Sequence, residues 1–211
     1  MYNDFKELLS ALNAHQVRYL IVGGYAVSFH AEPRATKDLD ILISPDTANG
    51  KAVYAALAQF GAPLEGLSAN DFTEPDSFFR IGTPPVMVDI LSRISGVEFE
   101  GAWQRKVDVP IDETLTVPFI SRDDLLASKI SAGRAQDLAD VAELRESREQ
   151  SEIDKPAISG YEKIQRAQAR GREEWLEYRR KQAEKSADSS PKRPRERDLK
   201  KDSGIDDDIE S

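Results

Sequence analysis

The sequence predicts an α/β (α+β) protein: a small mixed β-sheet flanked by helices, then a helical C-terminal extension and a disordered charged tail. Three observations lead there. Short apolar runs of strand length, among them Tyr19–Val22, Leu39–Ile43 and Val86–Leu91, recur through the first 150 residues, with helically spaced apolar residues between them. Gly-, Pro- and Asp-rich punctuation separates the two kinds of segment. After Gln150 large apolar residues thin out and charge takes over, which helps hold the apolar fraction of the 211-residue chain at 39%. The expected divisions are a folded domain over 1–149, a linker and charged helix over 150–187, and a disordered tail over 188–211.

From the N-terminus, Asp4–Ala14 carries Phe5, Leu8, Leu9 and Leu12 on one face, the stripe of a helix packed on a sheet. Tyr19–Val22 reads as a short buried strand. Gly23-Gly24 then forces a tight turn, because glycine alone takes unusual backbone angles freely. Tyr25–His30 reads as a short helix leaving that turn, and Leu39–Ile43 as the next strand, with Asp38 at its mouth. Ser44-Pro45-Asp46-Thr47 carries helix-start chemistry. Val53, Tyr54, Leu57 and Phe60 keep helical spacing after it, and Gly61 supplies the stop. Ala62–Pro75 is loop-like. Ser77–Ile81 and Val86–Leu91 read as a hairpin turned by Gly82-Thr83-Pro84-Pro85. Gly96–Trp103 reads as irregular, and Lys106–Val109 and Thr114–Ile120 as two further strands.

Ser121-Arg122-Asp123-Asp124 has capping-box form. It opens a helix over Arg122–Ala132 that is expected to bury Leu125, Leu126 and Ile130 and to end at Gly133. A second helix over Ala135–Arg148 is expected to turn Leu138, Val141 and Leu144 inward. Ser151–Ala157 reads as a linker. Ser159–Ala187 reads as a helix whose few large apolar residues are Ile164, Trp175, Leu176 and Tyr178.

Composition sets limits on function. With no cysteine, disulfides and thiolate metal sites are excluded. The opening MYNDFKELLS lacks a basic segment followed by a long apolar core, so no signal peptide is expected. No apolar run reaches the length of a membrane span. A cytoplasmic protein is the simplest expectation. The net charge of −9 is unevenly placed: residues 151–211 hold fifteen acids and fifteen bases, so the excess lies entirely in 1–150. That argues against a broadly basic nucleic-acid surface on the folded part. The basic run Lys192–Arg197 and the acidic end of the chain read as a solvated tail.

The chemistry concentrates in Leu20–Ile43. Strand side chains alternate between faces, so Asp38 and Asp40 point one way and Leu39 and Ile41 the other. Two adjacent carboxylates repel, and keeping both ionised is costly unless a cation sits between them. Mg²⁺ suits such an oxygen pair. The Gly23-Gly24 turn presents N–H groups at a helix N-terminus, a ready phosphate seat. Together these point to a nucleoside triphosphate bound with Mg²⁺. Asp89 is the third acid: it stands in an otherwise apolar strand, where an acid is unusual unless it is paired or coordinating. His15 and His30 have no partner at catalytic spacing and read as structural.

These residues resemble the DNA polymerase β nucleotidyltransferase superfamily. Its pattern is an apolar residue, a Gly-Gly or Gly-Ser pair, a spacer, and Asp-apolar-Asp-apolar. Here it stands as Val22-Gly23-Gly24, thirteen residues, then Asp38-Leu39-Asp40-Ile41. The finer wording is similar to the minimal bacterial nucleotidyltransferases, including the AbiEii/AbiGii toxin-type group. A second block in those proteins, K-x4-R-x2-D-x2-D, is matched by Lys129, Arg134, Asp137 and Asp140. The resemblance implies a nucleotidyltransferase fold and an enzyme that moves an NMP from an NTP, ATP among the candidates, to a hydroxyl with pyrophosphate release. It implies Asp38, Asp40 and Asp89 as catalytic residues holding two Mg²⁺ ions, with Asp89 accepting a proton. Gly23, Gly24, Arg34, Lys37 and Lys129 are expected at the phosphates, with Asp137 orienting Lys129. The implied acceptor is a tRNA, a protein or a small-molecule hydroxyl, and a toxin–antitoxin partner protein is one setting. The alternative is a non-catalytic nucleotide- or partner-binding module on the same fold.

Overall fold

A computed structural model describes residues 2–84, 86–151 and 160–188. Its centre is a six-stranded mixed sheet in the order β3-β4-β2-β1-β6-β5. The strands are β1 (Tyr19–Ile21), β2 (Asp38–Ile43), β3 (Phe78–Thr83), β4 (Val86–Leu91), β5 (Val107–Pro110) and β6 (Thr116–Phe119). Seven α-helices flank them among the described residues: α1 (Asn3–Ala14), α2 (Gly23–His30), α3 (Thr47–Phe60), α4 (Phe99–Gln104), α5 (Arg122–Ala132), α6 (Ala135–Ser151) and α7 (Gly160–Asp188). The expected α/β fold class is the observed one.

The middle of the sheet follows from composition. All three residues of β1 are buried, as a strand covered on both faces requires. β1 runs antiparallel to β2 and parallel to β6, and β2 runs parallel to β4. The face opposite Asp38 and Asp40 is wholly apolar: Leu39, Ile41, Val88 and Ile90 are all buried on it. Helices α1 and α3 pack together and cover this side, where Phe5 and Phe60 share a small cavity with Ile81 and Val88. The start of α3 is capped as expected: the Asp46 carboxylate accepts the Asn49 N–H at 2.8 Å. Gly61, in the left-handed region at φ 84°, ends the helix.

Three readings need correction. The hairpin turn is tighter than four residues: β3 runs on through Gly82 and Thr83, and Thr83 pairs with Val86. Most of Gly96–Trp103, expected to be irregular, belongs to α4, with Phe99 and Ala102 buried. Ile130 and Leu138, expected inside, are 52% and 55% exposed. Of the large apolar residues of α7, Ile164 is fully buried, whereas Leu176 and Tyr178 are exposed. The linker expected over 151–157 and the tail expected over 188–211 fall almost wholly outside the described residues.

By its contacts the chain divides into one unit over Met1–Leu176 and another over Glu177–Ser211. Within the first, α7 lies tightly against the loop before β2. A Cβ on Gly171 would stand 2.1 Å from the Thr36 carbonyl oxygen, and Arg170 donates to the Pro33 carbonyl. The described part of the second unit is the end of α7, which carries the exposed pairs Lys181–Glu177 and Arg180–Glu184.

Candidate active site

The three acids meet because of strand register. In the parallel pairing of β2 with β4, Asp40 stands directly beside Asp89, and Asp38 beside Met87. Alternation puts all three carboxylates on one face. One oxygen from each of Asp38, Asp40 and Asp89 can be chosen so that the three lie within 4.8 Å of one another. They lie in a cleft of about 980 Å³, walled by the Gly-Gly turn, the loop before β2, strands β3 and β4, and helices α5 and α6, with Glu174 of α7 at its edge.

The glycine turn lies directly on this trio. Gly23 sits at φ 61°, and a Cβ there would be 1.9 Å from Asp40 Oδ2. Gly24 is equally confined, with Thr36 Oγ1 at 2.6 Å from a would-be Cβ. Its N–H donates to the Asp40 carboxylate. So the N-terminus of α2, the expected phosphate seat, adjoins the acids, with one of its donors already drawn to Asp40.

The electrostatics are those of a site short of positive charge at its centre. Burial, and then repulsion from Asp38 and Asp89, push the Asp40 carboxyl up to about 7. Asp89 is buried at 4% exposure. Both of its oxygens are held by Arg80, the Nε donating to Oδ1 and Nη2 to Oδ2, each at 2.6 Å. A hard divalent cation fits this donor set: three converging carboxylates, all oxygen, one with its pKa raised for want of a counter-charge.

The remaining predicted residues form a second layer. Lys129, itself buried, places its ammonium 2.9 Å from Asp137 and 2.7 Å from Asp140. Arg134 donates to both oxygens of Asp137, at 2.6 and 3.3 Å. Arg34 pairs with Asp140 at 2.9 Å and donates to the Ala35 carbonyl. Burial alone would raise the Asp137 carboxyl, but the hydrogen bonds from Arg134 and Lys129 hold it down at about 2. This cluster ties the loop before β2 to α5 and α6. Lys129, expected at the phosphates with Asp137 orienting it, has its charge shared by Asp137 and Asp140. Arg34, Lys129, Arg134 and Asp137 nonetheless line the cleft, and Lys37 is exposed on its wall.

His30 donates to the Ile120 carbonyl at 2.8 Å, with burial lowering its pKa. His15 pairs with Gln59 at 2.7 Å. Neither lines the cleft.

Arg80 was not anticipated from sequence. The signal was present: counting back from a Thr83–Val86 pair puts Arg80 opposite Asp89, whereas a four-residue turn breaks that register. Asp140 was foreseen only as part of a motif, and Glu174 lies in a segment read as a plain charged helix.

A strand-borne carboxylate trio beside a glycine turn at a helix N-terminus is the layout expected of the nucleotidyltransferase class. The chain belongs to the family described as nucleotidyltransferase of unknown function (DUF6036), whose model matches residues 2–159. A comparison with curated proteins finds no match.

Proposed function

We propose that this protein transfers a nucleoside monophosphate from an NTP to an acceptor hydroxyl, releasing pyrophosphate. The observation that carries the reading is the convergence of Asp38, Asp40 and Asp89 beside the N-terminus of α2. The acceptor oxygen bonds to the α-phosphorus. The bond from that phosphorus to the bridging oxygen breaks, and its electron pair leaves with pyrophosphate. The acceptor proton passes to Asp89. Gly23 and Gly24 seat the β- and γ-phosphates through backbone N–H groups, and Arg34, Lys37 and Lys129 offset phosphate charge around them. Asp137 fixes Lys129 in place. Two Mg²⁺ ions held by Asp38, Asp40 and Asp89 would supply charge neutralisation and acidify the attacking hydroxyl.

The acceptors compatible with this site are a tRNA end, a protein or a small-molecule hydroxyl. The toxin-type resemblance adds a partner protein as one biological setting. The acidic balance of residues 1–150 disfavours a large RNA footprint on the folded part. The test is incubation of purified protein with each α-³²P-labelled NTP, Mg²⁺ and a cell extract. Label should enter RNA, protein or a small molecule, and the Asp38→Asn/Asp40→Asn double variant should transfer none. Transfer undiminished in the double variant overturns the assignment.

One observation favours a binding module without turnover: both Asp89 oxygens are held by Arg80. Calorimetric binding of Mg-NTP without pyrophosphate release in any extract would select that reading.

A further inference from the structure

The Arg80–Asp89 pair is built with unusual completeness. Cross-strand register places Arg80 directly opposite Asp89, and the guanidinium takes both carboxylate oxygens in the bidentate geometry that arginine favours. Each Asp89 oxygen therefore already accepts one charge-assisted hydrogen bond, and a cation drawing on that oxygen has to compete with it. Yet Arg80 is not locked in: its side chain is 47% exposed, against 6% for that of Asp89. Its guanidinium also lies 5.3 Å from the centre of the Phe78 ring. That ring is itself exposed and lines the same cleft, so the cation has an exposed aromatic partner there besides Asp89. A buried carboxylate with a half-exposed counter-ion, beside two further carboxylates, describes a position held for a cation.

We propose that Arg80 stands in for the divalent cation: it neutralises Asp89 in the metal-free protein, must release Asp89 for the cation to bind, and then turns its charge to the triphosphate. This rests on the cation-binding reading of the three acids. Arginine suits both positions, since its planar donor fork matches carboxylate and phosphate alike. The exchange gives Asp89 a counter-charge at each stage, so neither state leaves it buried and unpaired. Arg80 thereby raises the cation concentration needed to fill the site and couples filling to the arrival of the phosphates.

The test is a Mn²⁺ titration of the full chain followed by electron paramagnetic resonance, without nucleotide. Arg80→Gln is expected to bind Mn²⁺ about ten-fold more tightly than the unaltered protein, the scale of losing a competing charge-assisted pair at a half-exposed position. Asp89→Asn should weaken binding, and Arg80→Gln added to Asp89→Asn should give no further gain, because the competition runs through Asp89. At saturating metal, Arg80→Gln should transfer label more slowly despite its tighter metal, a split that a merely structural residue would not produce. Arg80→Lys keeps the charge without the two-pronged grip, and its affinity should fall between the two. It also serves if the Gln variant fails to fold. Unchanged or weaker Mn²⁺ affinity in folded Arg80→Gln, or in Arg80→Lys where that variant stands in for it, overturns the proposal while leaving the metal reading intact. Wild-type Mn²⁺ affinity in Asp38→Asn/Asp40→Asn overturns both.

Discussion

Asp40→Asn should make the metal-free protein more stable while removing its activity. The Asp40 carboxyl titrates at about 7 instead of the ordinary 3.8, because burial and the neighbouring Asp38 and Asp89 disfavour its charge. Displacement by one pH unit corresponds to about 1.4 kcal/mol, so the ionised form costs the folded state roughly 4 kcal/mol at most. Relaxation around a partly exposed side chain brings the expected gain from Asn to about 2–4 kcal/mol. The sign follows from proton binding. Between pH 4 and pH 7 the folded protein holds a proton at Asp40 that the unfolded chain has lost, so stability falls as pH rises through that window. Asn cannot titrate, and its side-chain oxygen can still accept the Gly24 N–H. The assay is urea unfolding followed by circular dichroism, in EDTA, at pH 4.5, 6 and 8. The variant's advantage should be small at pH 4.5 and reach its full size by pH 8, where thermal midpoints should differ by roughly 5–15 °C. Adding Mg²⁺ should stabilise the wild type and leave the variant unmoved. A variant no more stable than wild type at pH 8, or an advantage that does not grow with pH, would refute the reasoning.

Three further outcomes follow from the packing. Lys129→Met removes the cation shared by Asp137 and Asp140 and should cost about 2 kcal/mol in denaturant unfolding, the scale of losing hydrogen bonds to charged groups, because Arg134 and Arg34 still pair with the two carboxylates. Gly23→Ala puts a methyl where Asp40 Oδ2 now lies, at a positive φ. It should reduce transfer on the order of a hundred-fold through displaced groups, with far-ultraviolet circular dichroism nearly unchanged. Gly171→Val would drive a side chain into the Thr36 carbonyl and prise α7 from the loop before β2. Limited proteolysis should then cut near residue 160 faster than in the wild type, and transfer should drop because that loop carries Arg34 and Lys37.

What the sequence disclosed, and what it hid, has a common physical cause. Asp38, Asp40 and Asp89 were legible because each breaks a strict rule, an acid in or at an apolar strand, and strand alternation fixes which way each points. Arg80 was hidden because its partner depends on hairpin register, which a two-residue change in turn length alters. Ile130 and Leu138 were misplaced for a related reason. The buried side of α5 runs through Leu125 and Lys129, and that of α6 through Asp137, Asp140 and Val141. Ionic residues occupy core-facing positions there, so a reading that sends apolar residues inward picks the wrong neighbours by one position. The short helix α4 carries Gly101 inside it and follows Gly96 at φ 70°. Such composition reads as loop until the burial of Phe99 and Ala102 is known. In each case tertiary contacts overrode local preference, and they did so mostly at or near the cleft.

The central claim is that Asp38, Asp40 and Asp89 share a divalent cation. The most direct measurement is anomalous X-ray scattering from crystals soaked with Mn²⁺ and a non-hydrolysable NTP. The account predicts a peak coordinated by oxygens of β2 and β4 acids, with the triphosphate against the Gly23-Gly24 turn and Arg80 withdrawn from Asp89. Nucleotide bound elsewhere, or no peak among the three acids with Arg80 still gripping Asp89, would contradict it.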